Sequence, residues 1–130
     1  MPFVPVGLML AAVSTLRPLA EVFSSDNIKH YFIGQDAGRG VYAKEMRIPA
    51  GADLVSHTHT YDHLAILASG TAIWAADGAD ARTMRSPCAV TVKAGIAHSL
   101  HAVTDVVWFC IHPSDETDAA SVDATLIRRG

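Results

Sequence analysis

Residues 51–70 read GADLVSHTHTYDHLAILASG and carry three histidines between two glycines. His57 and His59 are two residues apart, so on a strand both side chains project from the same face. His63 follows a short turn at the start of an apolar run, where its side chain can meet the other two from the side. Imidazole is the commonest nitrogen ligand of first-row divalent metals in proteins. The spacing therefore predicts that these three side chains bind one metal ion.

A fourth histidine stands in a second patterned stretch. Residues 87–102 read PCAVTVKAGIAHSLHA. Gly95 permits a tight turn that delivers His98 on a strand from elsewhere in the fold. We predict that His98 is the fourth metal ligand.

Together these two stretches resemble the two sequence motifs of the cupin superfamily. Every spacing of the first motif is intact, with His63 in the position usually held by glutamate. The second motif departs from the family pattern at three positions, where Pro87, Lys93 and Ala102 replace glycine, proline and asparagine. The resemblance covers roughly residues 40–112 and is strongest to single-domain cupins with four histidine ligands. It implies an all-β, cupin-type double-stranded β-helix (a jelly-roll barrel) that binds one divalent transition metal.

The rest of the chain agrees with an all-β fold. Turn residues separate short strands about every ten residues, as in sandwiches and barrels. The run 64–68 is continuously apolar, which predicts a strand buried on both faces. Residues 114–124 have a helix cap and an acidic first turn, so they predict one short helix. Predicted strands occupy residues 29–33, 40–48, 64–68, 71–76, 81–84, 88–92, 99–103 and 106–111.

Length and composition set the domain organisation. The chain has 130 residues, of which 50% are hydrophobic, and this suits one domain with a packed core. We predict an apolar N-terminal arm over residues 1–26 that packs on the barrel or on a partner subunit, a cupin barrel over 27–113 and a C-terminal tail over 114–130. The arm needs burial and the sheet edges need cover, so we expect a homodimer.

Charge and targeting patterns exclude several classes of partner. The net charge is -3, and no basic run is interleaved with aromatic residues, so we expect no nucleic-acid partner. The apolar run 3–13 is too short to span a bilayer, and we expect no membrane partner. Cys88 and Cys110 form no CxxC pair. We read both as reduced thiols of a cytoplasmic protein.

Several further residues could complete the site. Tyr61 and Asp62 lie between the predicted ligands and could act as acid, base or hydrogen-bond partners of the ligand imidazoles. The alternative is an exposed turn that happens to contain both residues. For His30, His101 and His112 we expect a surface position or a satisfied hydrogen-bond partner. The pocket wall is predicted to include Met46, Ile66, Trp74 and Phe109.

The function remains open at this stage among three classes. Four neutral ligands leave the full charge of the ion in place, which favours a small anionic substrate that donates oxygen atoms. Iron, manganese, nickel or copper would suit a dioxygenase that acts on an enolisable or aromatic compound, whereas zinc would suit redox-neutral chemistry or a structural site. The alternatives are therefore an isomerase, lyase or decarboxylase, and a non-catalytic module that binds a metal or small ligand.

Overall fold

A computed structural model of the chain describes residues 27–55 and 58–126. The predicted arm over residues 1–26 and the predicted ligand His57 lie outside the described residues, so both stay predictions from the sequence. The same holds for the last four residues of the predicted tail.

Within these ranges the chain is mainly antiparallel β-sheet. A single 3₁₀ turn at Gln35–Ala37 joins the first two strands, and one helix, α1 (Ala119–Leu126), follows the last strand. The strands in chain order are β1 (Ile28–Ile33), β2 (Val41–Ile48), β3 (Asp53–Val55), β4 (His63–Ser69), β5 (Thr71–Ala76), β6 (Arg82–Arg85), β7 (Cys88–Val92), β8 (His98–Ala102) and β9 (Val106–Pro113).

The strands form two sheets that pack face to face around one core. The larger sheet has the order β1-β2-β9-β4-β7, and the smaller has the order β3-β8-β5-β6. The pairings of β2 with β9 and of β5 with β8 join strands distant in sequence, as in a jelly roll. The inner faces supply the main buried cluster, which includes Met46, Ile48, Leu54, Leu67, Trp74, Leu100 and Trp108.

This architecture confirms the predicted all-β jelly-roll fold. Each of the eight predicted strands is present, with ends that differ by no more than two residues. The C-terminal helix begins at Ala119, later than predicted, because Asp118 caps it: the Ser121 N–H donates to the Asp118 carboxylate at 2.9 Å. The sequence did not predict β3, which ends at Val55. His59 lies beyond that strand rather than on it.

The prediction that residues 64–68 are buried on both faces is wrong. Ala65 and Leu67 are fully buried, whereas Leu64 is 43% exposed. Because β4 belongs to a two-layer sandwich, only one of its faces meets the other sheet. The outer face of this strand is apolar but uncovered by any described residue.

The same alternation corrects part of the predicted pocket wall. Met46 and Trp74 are buried in the core, as expected of inward residues. Ile66 and Phe109 are cross-strand partners on β4 and β9 and are only partly buried. They share the parity of Leu64, so they lie on the outer face of the larger sheet and cannot line the pocket.

Among the described residues, no helix has the length and apolar character needed to cross a membrane.

Candidate metal centre

The chain positions His63 at the first residue of β4, with its imidazole buried between the sheets. The ring Nδ1–H donates to the carbonyl oxygen of Leu64 at 3.1 Å. This contact fixes the tautomer and leaves a lone pair on Nε2. Burial lowers the pKa of His63, so the ring stays neutral, which a metal ligand requires.

His98 is held in the same way at the start of β8. The turn before it includes Gly95, whose φ of +74° lies in the left-handed region that favours glycine. The Nδ1–H of His98 donates to the Ile96 carbonyl at 3.2 Å, which again frees Nε2. Burial lowers the pKa of His98. The ring also packs at 5.0 Å from the indole of Trp74, which restricts its rotation.

His59 stands between these two rings. Its carbonyl accepts a 3.0 Å hydrogen bond from the Gly95 N–H, so the backbone of the first motif is attached to that of the second. Its ring centroid lies 4.7 Å from that of His63 and 5.5 Å from that of His98. Three of the four predicted ligands therefore lie together, and the fourth, His57, is outside the described residues.

The donor set fits a divalent transition metal. Nδ1 of His59 and Nε2 of His63 are 3.0 Å apart. In this contact the Nδ1–H of His59 donates a hydrogen bond to Nε2 of His63. Two nitrogens bound at about 2.0–2.1 Å to one ion would also be about 3.0 Å apart at a right angle, so an ion that replaced this proton could bind both nitrogens. Among the described residues no group of three His, Cys, Asp or Glu side chains is yet arranged to hold an ion. The site is thus a cluster of imidazoles in which one hydrogen-bonded pair has the spacing of neighbouring ligands.

His112 is the site residue that sequence reasoning missed. We expected it at the surface or with a satisfied partner, but it is only 2% exposed, and its Nδ1 has no hydrogen-bond partner among the described residues. Its ring lies 4.2 Å from that of His63, centroid to centroid. Burial and the neighbouring histidines lower the pKa of His112 to about 3. The signal was present in the alternation of β9, because His112 shares the parity of buried Val106 and Trp108.

The other two histidines outside the motifs have hydrogen-bond partners other than the proposed ligands, although the partner of His30, Tyr42, also stacks on His112. His30 is exposed on β1, and its Nδ1 is 2.7 Å from the Tyr42 hydroxyl. The Nδ1 of His101 is 3.1 Å from a carboxylate oxygen of Asp53. Because His101 is three residues after His98 on one strand, it faces the opposite side of the sheet, as predicted.

Tyr61 and Asp62 occupy the turn that leads into β4. Tyr61 is half-buried, its ring meets that of His112 edge-on at 6.0 Å, and burial raises its pKa. The Asp62 carboxylate accepts the Ala94 N–H at 2.8 Å, and the Lys93 ammonium is 3.5 Å away. The Ala94 hydrogen bond is the main reason that the pKa of Asp62 is lowered. Tyr61 therefore faces the histidine cluster, and Asp62 connects the two motif turns.

A depression of about 420 Å³ is lined by His63 and His112 together with residues of the outer face of the larger sheet, such as Val41 and Leu64. It therefore opens on that face of the sheet, and His63 and His112 themselves are almost fully buried. The remaining lining residues are Asp62, Thr91, Ile111 and Pro113.

Lys44 adds a positive charge near the cluster. It shares the inward parity of Tyr42 and Met46 on β2, it is half-buried, and its charge contributes to the lowered pKa of His112. Within the described part of the chain, no carboxylate lies within ion-pair distance of it. An unpaired cation beside neutral imidazoles makes the site attractive to an anion.

Solved structures share this arrangement of strands. An ectoine synthase from P. lautus superposes with a TM-score of 0.61 at 14% identity, covering 84% of this chain and 83% of that one. A cupin-like protein from Thermotoga maritima gives a TM-score of 0.58 at 18% identity, covering 70% and 74%. The chain has the cupin fold. An oxalate decarboxylase variant from Bacillus subtilis, matched over 77% of this chain and 27% of its own, gives a TM-score of 0.60 at 14% identity.

Sequence comparison adds no closer relative. No family model matches the chain, and no curated protein matches it. At these identities the structural likeness establishes the cupin fold, and the role of each histidine depends on the geometry described above.

Proposed function

We propose that this cupin binds one divalent transition metal through His57, His59, His63 and His98, and that it uses the ion to act on a small oxygen-donating substrate. The observation that carries the proposal is that backbone carbonyls fix the tautomer of two of these imidazoles. His63 and His98 each donate Nδ1–H to a backbone carbonyl, which directs Nε2 toward the shared interior. His57 is included among the proposed ligands only because of its spacing in the first sequence motif.

The charge of the site favours an anionic substrate. Imidazoles do not offset the charge of a divalent ion, and the nearest carboxylate, Asp62, is exposed and engaged with Ala94 and Lys93. Lys44 adds a cation on the inner face of β2. A carboxylate or enolate oxygen would therefore be stabilised both by the ion and by this ammonium.

Within this class, we favour a dioxygenase-type oxidoreductase for an enolisable or aromatic compound. When bound, a redox-active ion would supply the electron-transfer and oxygen-binding chemistry. The chain's own residues around His63 and His112 would orient the substrate. The Tyr61 phenol, which burial keeps protonated, would donate a hydrogen bond to a substrate oxygen.

A redox-neutral reaction is the second candidate. The structural neighbours include an enzyme named as a decarboxylase and one named as a synthase. The same cation-rich interior would stabilise the enolate that forms when a carboxylate loses carbon dioxide or a neighbouring proton moves. Turnover without oxygen and with a redox-inert ion would select this candidate. Metal and ligand binding without turnover would instead indicate a binding module.

Elemental analysis of the purified protein tests the metal site. We expect near-stoichiometric iron, manganese, nickel, copper or zinc in wild type and its loss in His59→Ala and His63→Ala. His30→Ala is the matched control, because it removes an exposed imidazole from the same barrel and should keep the metal. Wild type that holds no metal after reconstitution would contradict the proposal.

Oxygen consumption then separates the catalytic candidates. The metal-loaded protein is assayed against a panel of diketones, catechols and small dicarboxylates, beside the metal-free protein. Uptake above that control supports the dioxygenase. Product formation under anaerobic conditions, with zinc in the site, supports the redox-neutral alternative.

Reducing conditions are the environment that we propose for the protein. Cys88 and Cys110 are not bonded to each other and lie on different strands. Burial raises the pKa of Cys110 to about 11, which keeps that thiol protonated and unreactive. These properties support a cytoplasmic location.

A further inference from the structure

His112 is buried, and its Nδ1 lacks a hydrogen-bond partner among the described residues. A buried nitrogen that lacks a partner costs free energy, and native proteins usually pair such atoms with protein, water or an ion. The Nδ1 of His112 is such an atom within the described part of the chain. Its ring is surrounded by other rings: Tyr42 on one side, His63 on another, and Tyr61 at its edge.

The distances between the rings bear on whether His112 could share an ion with His63 and His59. With a nitrogen-to-metal distance of about 2.1 Å, each bound imidazole has its centroid about 3.2 Å from the ion, so two ligands are at most about 6.4 Å apart and about 4.5 Å apart at a right angle. The His63 ring lies 4.2 Å from that of His112 and 4.7 Å from that of His59. His59 and His112 are 6.4 Å apart. Taken pair by pair, these three separations lie close to or within the range that two imidazoles bound to one ion would span.

We propose that His112 would supply a fifth imidazole nitrogen to the metal centre. The inference rests on the proposed metal site and extends its ligand set beyond the two sequence motifs. A ligand from β9 would join the last strand of the barrel to the ion, next to the surface depression that His63 and His112 both line. One fewer position would then be open to substrate than a four-histidine site leaves.

Cobalt(II) is the probe for this assignment, with the full-length protein stripped of metal. Titration followed by visible absorption gives the affinity. Proton NMR in water counts the shifted, exchangeable ring N–H signals, one for each bound histidine. We expect five such signals in wild type. His112→Phe, which keeps the ring volume, should lose one signal and bind cobalt at least about tenfold more weakly.

Two further variants make the result specific. His112→Gln tests the same loss without an added aromatic ring, and His30→Phe is the matched control that should keep five signals and the wild-type affinity. Far-ultraviolet circular dichroism verifies that each variant is folded. If neither His112 variant folds, the number of signals in wild type, five or four, still decides the question.

The outcomes separate the inference from the function on which it rests. Wild-type protein that binds cobalt with four signals, unchanged in His112→Phe, overturns the fifth ligand and leaves the metal site intact. A weaker affinity with no lost signal also overturns it, because His112 would then only position another ligand. Wild-type protein that binds no cobalt removes both proposals.

Discussion

The backbone N–H of Gly95 lies 3.0 Å from the carbonyl oxygen of His59 and donates a hydrogen bond to it. One residue earlier, the N–H of Ala94 donates to the Asp62 carboxylate at 2.8 Å. These two bonds fasten the segment that carries His59 to the turn that delivers His98. The relative position of His59 and His98, two proposed ligands from distant parts of the chain, is therefore set by these bonds rather than by the imidazoles themselves.

Asp62→Ala should loosen this connection. The Ala94 N–H would lose its acceptor, so we expect a lower midpoint of thermal unfolding and a metal affinity weaker by up to about tenfold. Asp62→Asn keeps an acceptor oxygen and should have a smaller effect. Lys93→Ala is the control, since it removes only the exposed 3.5 Å contact to the same carboxylate. Equal effects of Asp62→Ala and Lys93→Ala would contradict this role.

The metal-free protein should lose stability as the pH falls below neutral. Burial lowers the pKa of His63 and His98, and that of His112 to about 3. In the unfolded chain these imidazoles have pKa values of about 6.5. Below that pH the unfolded state binds more protons than the folded state, and this stabilises the unfolded state relative to the folded one. The stabilisation is complete above about pH 6.5 and is lost as the pH falls toward 3.

Urea unfolding at two pH values measures this effect. Between pH 7.5 and 4.5 we expect the free energy of unfolding to fall by on the order of 2 kcal/mol or more. His112→Phe removes the most strongly shifted group and should show a shallower dependence. A variant with the same pH dependence as wild type would show that His112 does not titrate in this way.

Lys44→Met should weaken the binding of anions to the metal-loaded protein. The lysine is half-buried on the inner face of β2, and no described carboxylate neutralises it. With oxalate as the probe in a calorimetric titration, we expect affinity to fall about tenfold or more. Lys29→Met, on the exposed face of the neighbouring strand, is the matched control. An equal fall in both variants would indicate a general effect of net charge.

Gly70→Ala should destabilise the barrel strongly. Gly70 has a φ of +98°, and an added Cβ would overlap the backbone oxygen of Asp105. We expect a loss of about 2–4 kcal/mol from the left-handed conformation and the overlap together. At Gly78, where φ is +81° and the surrounding space is open, alanine should cost only about 1–2 kcal/mol. Chemical denaturation compares the two variants, and similar values would contradict the steric argument.

The outer face of the larger sheet should form the interface of the expected homodimer. Tyr31, Ile33, Val41 and Leu64 are exposed apolar side chains on that face. Light scattering after gel filtration should give a dimer for wild type and a monomer for Leu64→Lys. Val55→Lys places the same charge at an exposed apolar position of the smaller sheet and should stay dimeric. A dimer that survives Leu64→Lys but dissociates on deletion of residues 1–13 would place the contact at the arm instead.

The sequence was sufficient to predict the fold and to select His59, His63 and His98, whose rings lie together. The spacings around His59, His63 and His98 are local, and local spacing can be read without knowing how the strands pair. The buried state of His63 follows from the same logic, because it begins an apolar strand.

The sequence did not reveal which strands pair or in which register. His112 lies beside Tyr42 because β9 pairs with β2, and strands so far apart in the chain cannot be paired from periodicity alone. Ile66 and Phe109 were assigned to the pocket for the same reason, since both are apolar and either face was acceptable until the sheet was known. The faces of β4 and β9 were decided by the second sheet, not by hydrophobicity.

The side chains of the first two residues of β4 point to opposite faces of the larger sheet. His63 turns into the barrel, and Leu64 emerges on the apolar outer wall. The two residues are joined by one peptide bond. A shift of the strand along its axis therefore moves the His63 side chain inside the barrel and the Leu64 side chain outside it together. If two subunits meet at that wall, a change in how they dock is transmitted through this single peptide to an imidazole of the metal centre, and loading of the ion acts in return on subunit association.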